Sequence, residues 1–187
     1  MGLRVIIEGF GGQGVKSAGD LLVTTLFLMG RRALGMPIYE PLQMGGLVTF
    51  SLAMDSDGDR VVPTHDRDVF VMMHRRLFTR AEGETVRPSG LIIANAAEPP
   101  DVLMDIGRDV AVIDADRLAR EHGLLAKGNV PNLSTVMAGA FARLCEGIDY
   151  EALETAVREA FPKLITPNLR ALRSGYDGVR IVENALA

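Results

Sequence analysis

A run of branched apolar residues, Leu3 to Ile7, breaks at Gly9-Phe10-Gly11-Gly12-Gln13-Gly14 and gives way to Val15, Ala18, Leu22, Leu26 and Met29 at helical spacing. No other stretch of the chain constrains its fold as strongly. A compact apolar run ending in glycine reads as a buried strand. The spaced apolar residues, closed by Gly30, read as a helix over 15–29. Strand, glycine turn and helix in that order open a parallel-sheet α/β domain. The glycines satisfy G-x-G-x-x-G in the context that gives the pattern meaning. They permit positive φ and close backbone approach. The opening amides of the helix have no intrahelical partners and lie at the positive end of its dipole, so they suit a phosphate or another anion. Gln13 adds an amide able to donate or accept. The same glycines also suit tight strand–helix packing with no ligand, and both readings stay open at this point.

Further along, Arg31 to Gly46 is punctuated by Gly35, Pro37, Pro41, Gly45 and Gly46, which predicts a long loop with a short strand near 33–36. Leu47 to Met54 alternates, with Val48, Phe50, Leu52 and Met54 on one face and Thr49 and Ser51 on the other, as in a half-buried strand. A turn follows at Asp55-Ser56-Asp57-Gly58. Val69–Met73, Leu91–Ala94 and Val110–Ile113 are continuous apolar runs that fit buried strands. The methionines at 72, 73, 104 and 137 lie in apolar surroundings and read as core. A helix is expected over 115–122, stopped by Gly123. Asn132 can cap a helix running to about Cys145, and Asp149 one from Tyr150 to Phe161. A short helix at 168–173, ended by Ser174-Gly175, and a strand or tail over 178–187 complete the pattern. The expected fold is α/β: a three-layer, Rossmann-like domain with a mainly parallel sheet and a helical C-terminal portion.

Several function classes are disfavoured. With net charge −4 and basic residues spread among acids, the chain lacks the basic stripe of a nucleic-acid binder. One cysteine, Cys145, cannot ligate an iron–sulfur cluster alone, and His65, His74 and His122 follow no metal-ligand spacing. The apolar stretch 21–29 is too short for a bilayer, which takes about 20 residues, and the N-terminus has no signal-peptide pattern, so a cytoplasmic location is expected. No G-x-S-x-G marks Ser17, Ser51 or Ser134 as a nucleophile. Asp114 and Asp116 read as helix caps. A dinucleotide site would want an acid about 20 residues past the glycines. Asp20 lies within the helix and Glu40 on a proline-bounded loop, so an NAD or FAD site is a poor match. Asn129 and Asn132 form a polar turn at a helix mouth that could cap the helix or line a ligand pocket. The candidate ligand-binding residues are therefore Gly9, Gly11, Gly12, Gln13, Gly14 and Asn132; no catalytic residue or metal ligand is nominated.

The order of these features carries more than any one of them. The strand, the stretch Gly9 to Val15, Ala18-Gly19, Leu21-Leu22, Pro41 to Gly46 and the strand Val48 to Ser51 together resemble the gamma subunit of 2-oxoacid:ferredoxin oxidoreductases, which act on pyruvate, 2-oxoglutarate, branched-chain 2-oxoacids or indolepyruvate. The likeness extends to Asn132 with Gly139-Ala140, and to Asn168 and Gly175-Tyr176, and covers most of the chain. One departure is Met44-Gly45-Gly46, where the family usually has an arginine before the paired glycines. The resemblance implies a single gamma-type domain over 1–187 within a complex that decarboxylates a 2-oxoacid oxidatively, transfers the acyl group to coenzyme A and passes electrons to ferredoxin. It implies that thiamine diphosphate and iron–sulfur clusters reside in alpha, beta or delta subunits, and that the gamma unit faces coenzyme A or a partner. The alternatives are a free-standing NAD- or FAD-dependent oxidoreductase and a purely structural subunit. Without partners, the chain is expected to be inactive and to self-associate as a homodimer.

Overall fold

The computed structural model describes residues 2–40, 45–55 and 66–182. In chain order the elements are β1 (Leu3–Phe10), α1 (Val15–Leu28), β2 (Ala33–Tyr39), β3 (Leu47–Met54), β4 (Arg67–Met72), a 3-10 turn (Arg75–Leu77), α2 (Arg80–Glu84), β5 (Val86–Asn95), α3 (Asp101–Met104), β6 (Asp109–Ile113), α4 (Ala115–Glu121), α5 (Ser134–Leu144), α6 (Tyr150–Ala160), α7 (Ile165–Gly178) and β7 (Arg180–Val182). Met44, His65 and most of the turn after Asp55 lie outside the described residues.

The strands form one mixed sheet in the order β2-β3-β1-β4-β5-β6-β7. Its centre, β1-β4-β5-β6, is parallel, while β3 and β2 on one side and β7 on the other add in antiparallel fashion. Alternate residues of the central strands feed two cores. Val5, Ile7, Val69, Val71 and Ile93 pack beneath α1, α5, α6 and α7; Ile6, Phe70, Met72 and Ile92 pack under the 3-10 turn, α2 and α3. That is the expected three-layer α/β arrangement, with the helical C-terminal portion on one face.

Three expectations need correction. The loop predicted over 31–46 contains a seven-residue strand, β2, that extends to Tyr39. Pro37 is tolerated because Arg32 O accepts from Asp55 N and Glu40 N donates to Leu47 O, so even-numbered residues bond to β3 and Pro37 faces the open edge. β3 is buried on both faces, because its polar side is also covered: Ser51 is 2% exposed, and Thr49 Oγ1 donates to Glu8 Oε1 at 3.2 Å. The last helix is not short: α7 spans 14 residues and runs through Gly175. Pro167 is accommodated in its first turn, where its missing N–H is no loss.

Gly175 does not stop α7; it brings α7 against α5. A Cβ on Gly175 would lie 2.0 Å from Val136 O, and one on Gly139 would lie 2.2 Å from Leu172 O. Thr135 Oγ1 donates to Asn168 Oδ1 at 2.9 Å, and Asn168 Nδ2 donates to Leu164 O, closing the upper end of the crossing. Asp149 caps α6 as expected, accepting from the amides of Glu151 and Ala152. Cys145 is buried beside this layer, and desolvation pushes its thiol up to about 12. The native protein is therefore expected to resist a thiol reagent such as dithionitrobenzoate at pH 8 and to react with it fully once unfolded, because the thiolate is the nucleophile. Rapid modification of the folded chain would contradict this burial.

Candidate functional site

β1 ends at Phe10, and the chain turns through Gly11-Gly12-Gln13-Gly14 into α1. Gly12 has φ 93° and Gly14 φ 88°, conformations that disfavour any residue with a Cβ. Gly14 opens α1 without a side-chain cap, and the first helical bond runs from Ala18 N to Gly14 O. The amides of residues 15–17 consequently have no partner within the helix.

Gln13, which sequence analysis treated as a possible ligand contact, is turned inward and 6% exposed. Its Oε1 accepts from Phe10 N at 2.7 Å and its Nε2 donates to Met73 O at 3.2 Å. Its backbone oxygen accepts from Leu133 N at 2.8 Å. Gln13 thus ties the glycine turn to the end of β4 and to the start of α5. Gly9 is also inside: a Cβ there would lie 2.9 Å from both Met73 Cβ and Val15 Cγ2. These two positions serve packing.

The other four candidates converge. Gly11, Gly12, Gly14 and Asn132 line one cleft of about 310 Å³, together with Lys16 and Tyr39. Gly11 N donates to Gly46 O at 3.0 Å, which fixes the second glycine pair across the turn. Asn132 Oδ1 accepts from Ser134 N at 3.1 Å and from Ser134 Oγ at 2.7 Å, so it organises the start of α5 while lining the cleft. A Cβ on Gly14 would lie 2.3 Å from that Oδ1. Lys16 carries the cleft's positive charge and forms an exposed ion pair with Asp20, whose hydrogen bond and charge raise its pKa. Glu40 is not among the lining residues. The cleft offers backbone amides, a cation and an aromatic wall, a combination suited to an anion attached to an apolar or ring-bearing group.

Sequence reasoning missed how the turn is anchored. Asn95 Nδ2 donates to the same Met73 carbonyl at 3.0 Å, so two buried amides share one backbone oxygen. There was a usable signal: His74, Asn95 and Asp114 each follow directly on a buried apolar run, where a parallel sheet brings its carboxyl ends together.

Residues 4–178 match the family model for pyruvate ferredoxin/flavodoxin oxidoreductase. The chain belongs to that family. Subunit VorA of the ketoisovalerate oxidoreductase of Methanothermobacter marburgensis is 33% identical over 183 residues, covering 95% of this chain and 37% of VorA. The common gamma subunit of the pyruvate/ketoisovalerate oxidoreductases of Pyrococcus furiosus is 24% identical over 188 residues, covering 97% of this chain and 99% of that subunit. The oxidoreductase-family chain therefore spans little more than a third of VorA but nearly all of the gamma subunit. In structure, it superposes on pyruvate oxidoreductase subunit PORC of Thermotoga maritima with a TM-score of 0.83 at 24% identity, covering 97% of this chain and 99% of that one. Against the 2-oxoglutarate:ferredoxin oxidoreductase of Magnetococcus marinus, with 2-oxoglutarate, coenzyme A and succinyl-CoA bound, the TM-score is 0.75 at 17% identity, over 94% of this chain and 30% of that one. These likenesses establish a shared fold.

The residues that carry the resemblance to this oxidoreductase family divide by role. Gly19, Gly139 and Gly175 are packing positions, since a Cβ on Gly19 would meet the Phe50 ring at 2.3 Å. Gly11, Gly12 and Gly14 instead shape the cleft.

Proposed function

We propose that this chain, over 1–187, is the gamma-type unit of a heteromeric 2-oxoacid:ferredoxin oxidoreductase in the cytoplasm, and that its glycine cleft receives the phosphates of coenzyme A. The observation that carries the reading is the convergence of Gly11, Gly12 and Gly14 with Lys16 at the uncapped start of α1. The amides of residues 15–17 would hold phosphate oxygens, and Gly12 would let the backbone close on them. Lys16 can leave Asp20 for a phosphate at little cost, because exposed pairs are weak and screened. Asn132 would hold the far wall in place through Ser134. In this reading, decarboxylation and electron transfer to ferredoxin belong to thiamine diphosphate and iron–sulfur clusters on alpha, beta or delta polypeptides, and those polypeptides select the 2-oxoacid.

Recovery of the tagged chain from its host, with partners retained, tests this proposal. A brown complex containing thiamine diphosphate supports the assignment, and calorimetric titration with coenzyme A then examines the cleft. In that complex Gly12→Ala is expected to weaken coenzyme A about ten-fold, or roughly 1.4 kcal/mol. Steric damage should be slight, because the new Cβ would approach Val130 Cγ1 no closer than 3.4 Å; the remaining cost comes from φ. An assembled Gly12→Ala complex with unchanged coenzyme A affinity would rule out the ligand role and favour a purely structural subunit, for which the inward packing of Gly9 and Gln13 is the motivating observation. A colourless chain recovered alone and binding NAD tightly would overturn the assignment as a whole.

Alone, the chain is expected to self-associate. Leu34, Met36 and Ile38 project from one face of β2 and are 41%, 38% and 40% exposed. α1 occupies the other face, where Gly35 meets Val23. Sedimentation should show dimers that Met36→Lys shifts toward monomer, because a charge in the strip opposes its burial. A wild-type monomer at every concentration would count against an interface there.

A further inference from the structure

The sheet reverses direction of growth at β1: the chain first builds β2 and β3 on one side of it and then returns to lay β4, β5 and β6 on the other. Open α/β sheets bind ligands at the carboxyl ends of strands near such a switch point. The glycine cleft is on one side of this point. A second cleft, of about 340 Å³, lies on the other, at the ends of β4, β5 and β6. Phe10, which lines the first, and His74, which lines the second, meet edge to face with ring centroids 4.7 Å apart.

We propose that this second cleft is a binding site for a nucleoside 5′-monophosphate, whose free vicinal ribose hydroxyls are held by Asp116. Asn95, 8% exposed, sets that carboxylate in place. Its Nδ2 donates to Asp116 Oδ2 at 2.8 Å, and its Oδ1 accepts from Ala115 N at 2.9 Å and from Asp116 N at 3.2 Å. The other oxygen, Asp116 Oδ1, takes no hydrogen bond among the described residues and is available to hydroxyl donors. Asp116 stands in the first turn of α4, three residues past the end of β6, and a fixed carboxylate near a strand end is the group that α/β sheets use to hold a ribose diol.

The remaining walls fit the other parts of such a ligand. His74 Nδ1 accepts from Arg76 N at 3.2 Å, so the ring hydrogen of the neutral side chain resides on Nε2. Burial, assisted by the charges of Arg76 and Arg75 and opposed by Asp116, pushes the His74 pKa down and so favours the neutral ring. It is a donor to a base or ribose oxygen. Phe78 supplies a flat apolar surface for the base, and Ala96 leaves room beside it. Arg75 is exposed at the rim and has no ion pair among the described residues, leaving its guanidinium for the phosphate. The volume lies at the lower end of the roughly 300–1,000 Å³ typical of ligand pockets, which suits a mononucleotide. Coenzyme A carries a phosphate on its ribose 3′ oxygen and has no free diol, so this site does not restate the coenzyme A proposal.

The test is titration of the full chain with AMP, followed by equilibrium dialysis or amide NMR shifts. Saturable binding is expected, weaker by about ten-fold or more for 2′-deoxy-AMP and for Asp116→Asn, because the site is left with an unmatched polar group. Arg75→Ala, a surface change that leaves folding intact, should weaken AMP but not adenosine. Gly12→Ala should leave AMP binding unchanged. Equal affinity for AMP and 2′-deoxy-AMP, or full affinity in Asp116→Asn, would overturn the proposal. So would loss of AMP binding in Gly12→Ala, which would place the nucleotide in the glycine cleft. Absence of saturable AMP binding would also overturn it, whatever the outcome with coenzyme A.

Discussion

Gly175→Ala is expected to destabilise the chain by about 3 kcal/mol or more, although the same exchange in an ordinary helix interior stabilises by up to about 1 kcal/mol. The sign is the test. Gly175 lies within α7, where alanine is the better helix former, so propensity alone predicts a gain. The structure predicts the reverse, because the new methyl carbon would lie 2.0 Å from Val136 O and 2.8 Å from Val136 C, both backbone atoms that cannot rotate away. α5 and α7 would have to separate, and the Thr135–Asn168 hydrogen bond would go with them. Gly30→Ala is the comparison: its φ of 69° is unfavourable for alanine, but no atom lies within 4 Å of the added carbon. It should cost only the left-handed backbone penalty, about 1–2 kcal/mol. Urea denaturation of the three proteins measures both. A Gly175→Ala variant as stable as the parent would show that the two helices are not in this contact.

Gly14→Ala should have the largest effect on the cleft. Two penalties coincide there: a φ of 88° and an added carbon 2.3 Å from Asn132 Oδ1. The turn must move away from the start of α5, which drags the uncapped end of α1 out of line with the cleft wall. We expect coenzyme A affinity in the assembled complex to fall by about a hundred-fold, or roughly 2.7 kcal/mol, well beyond the loss for Gly12→Ala. Combining the change with Asn132→Ala should recover part of the loss, because it removes the colliding atom, while the backbone penalty persists. Strict additivity of the two substitutions would show that the side chain of Asn132 does not limit the turn.

Much of the fold could be read from local pattern. The strand–glycine–helix opening, the apolar runs at 69–73, 91–94 and 110–113, and the capping of α6 by Asp149 depend on near neighbours, and the structure has each of them. What could not be read depends on distant partners. Pro37 argues against a strand until one knows which way its neighbours' amides point. Gly175 resembles a helix stop because the carbonyl it must avoid is on another helix, at Val136. The candidate site divides similarly. Gly11, Gly12, Gly14 and Asn132 do share a cleft, and the glycine spacing pointed to it. Gln13 has the same polar character on paper as a ligand contact, but Met73 O, sixty positions away, takes its amide. Asn95 went unremarked, and His74 was weighed only as a metal ligand, because each is a lone polar residue in sequence, and only the parallel ladder makes them neighbours.

Pro37 has a consequence for how copies of the chain meet one another. The open rim of β2 cannot present an unbroken row of donors to an incoming strand, and the far rim, β7, spans three residues among those described. Association through the apolar face of β2 can therefore close on itself in a pair, and the β2 rim does not template a further strand. Free copies should gather in small, countable assemblies that dissolve on dilution, and fibres that grow by templating on the β2 rim should not form.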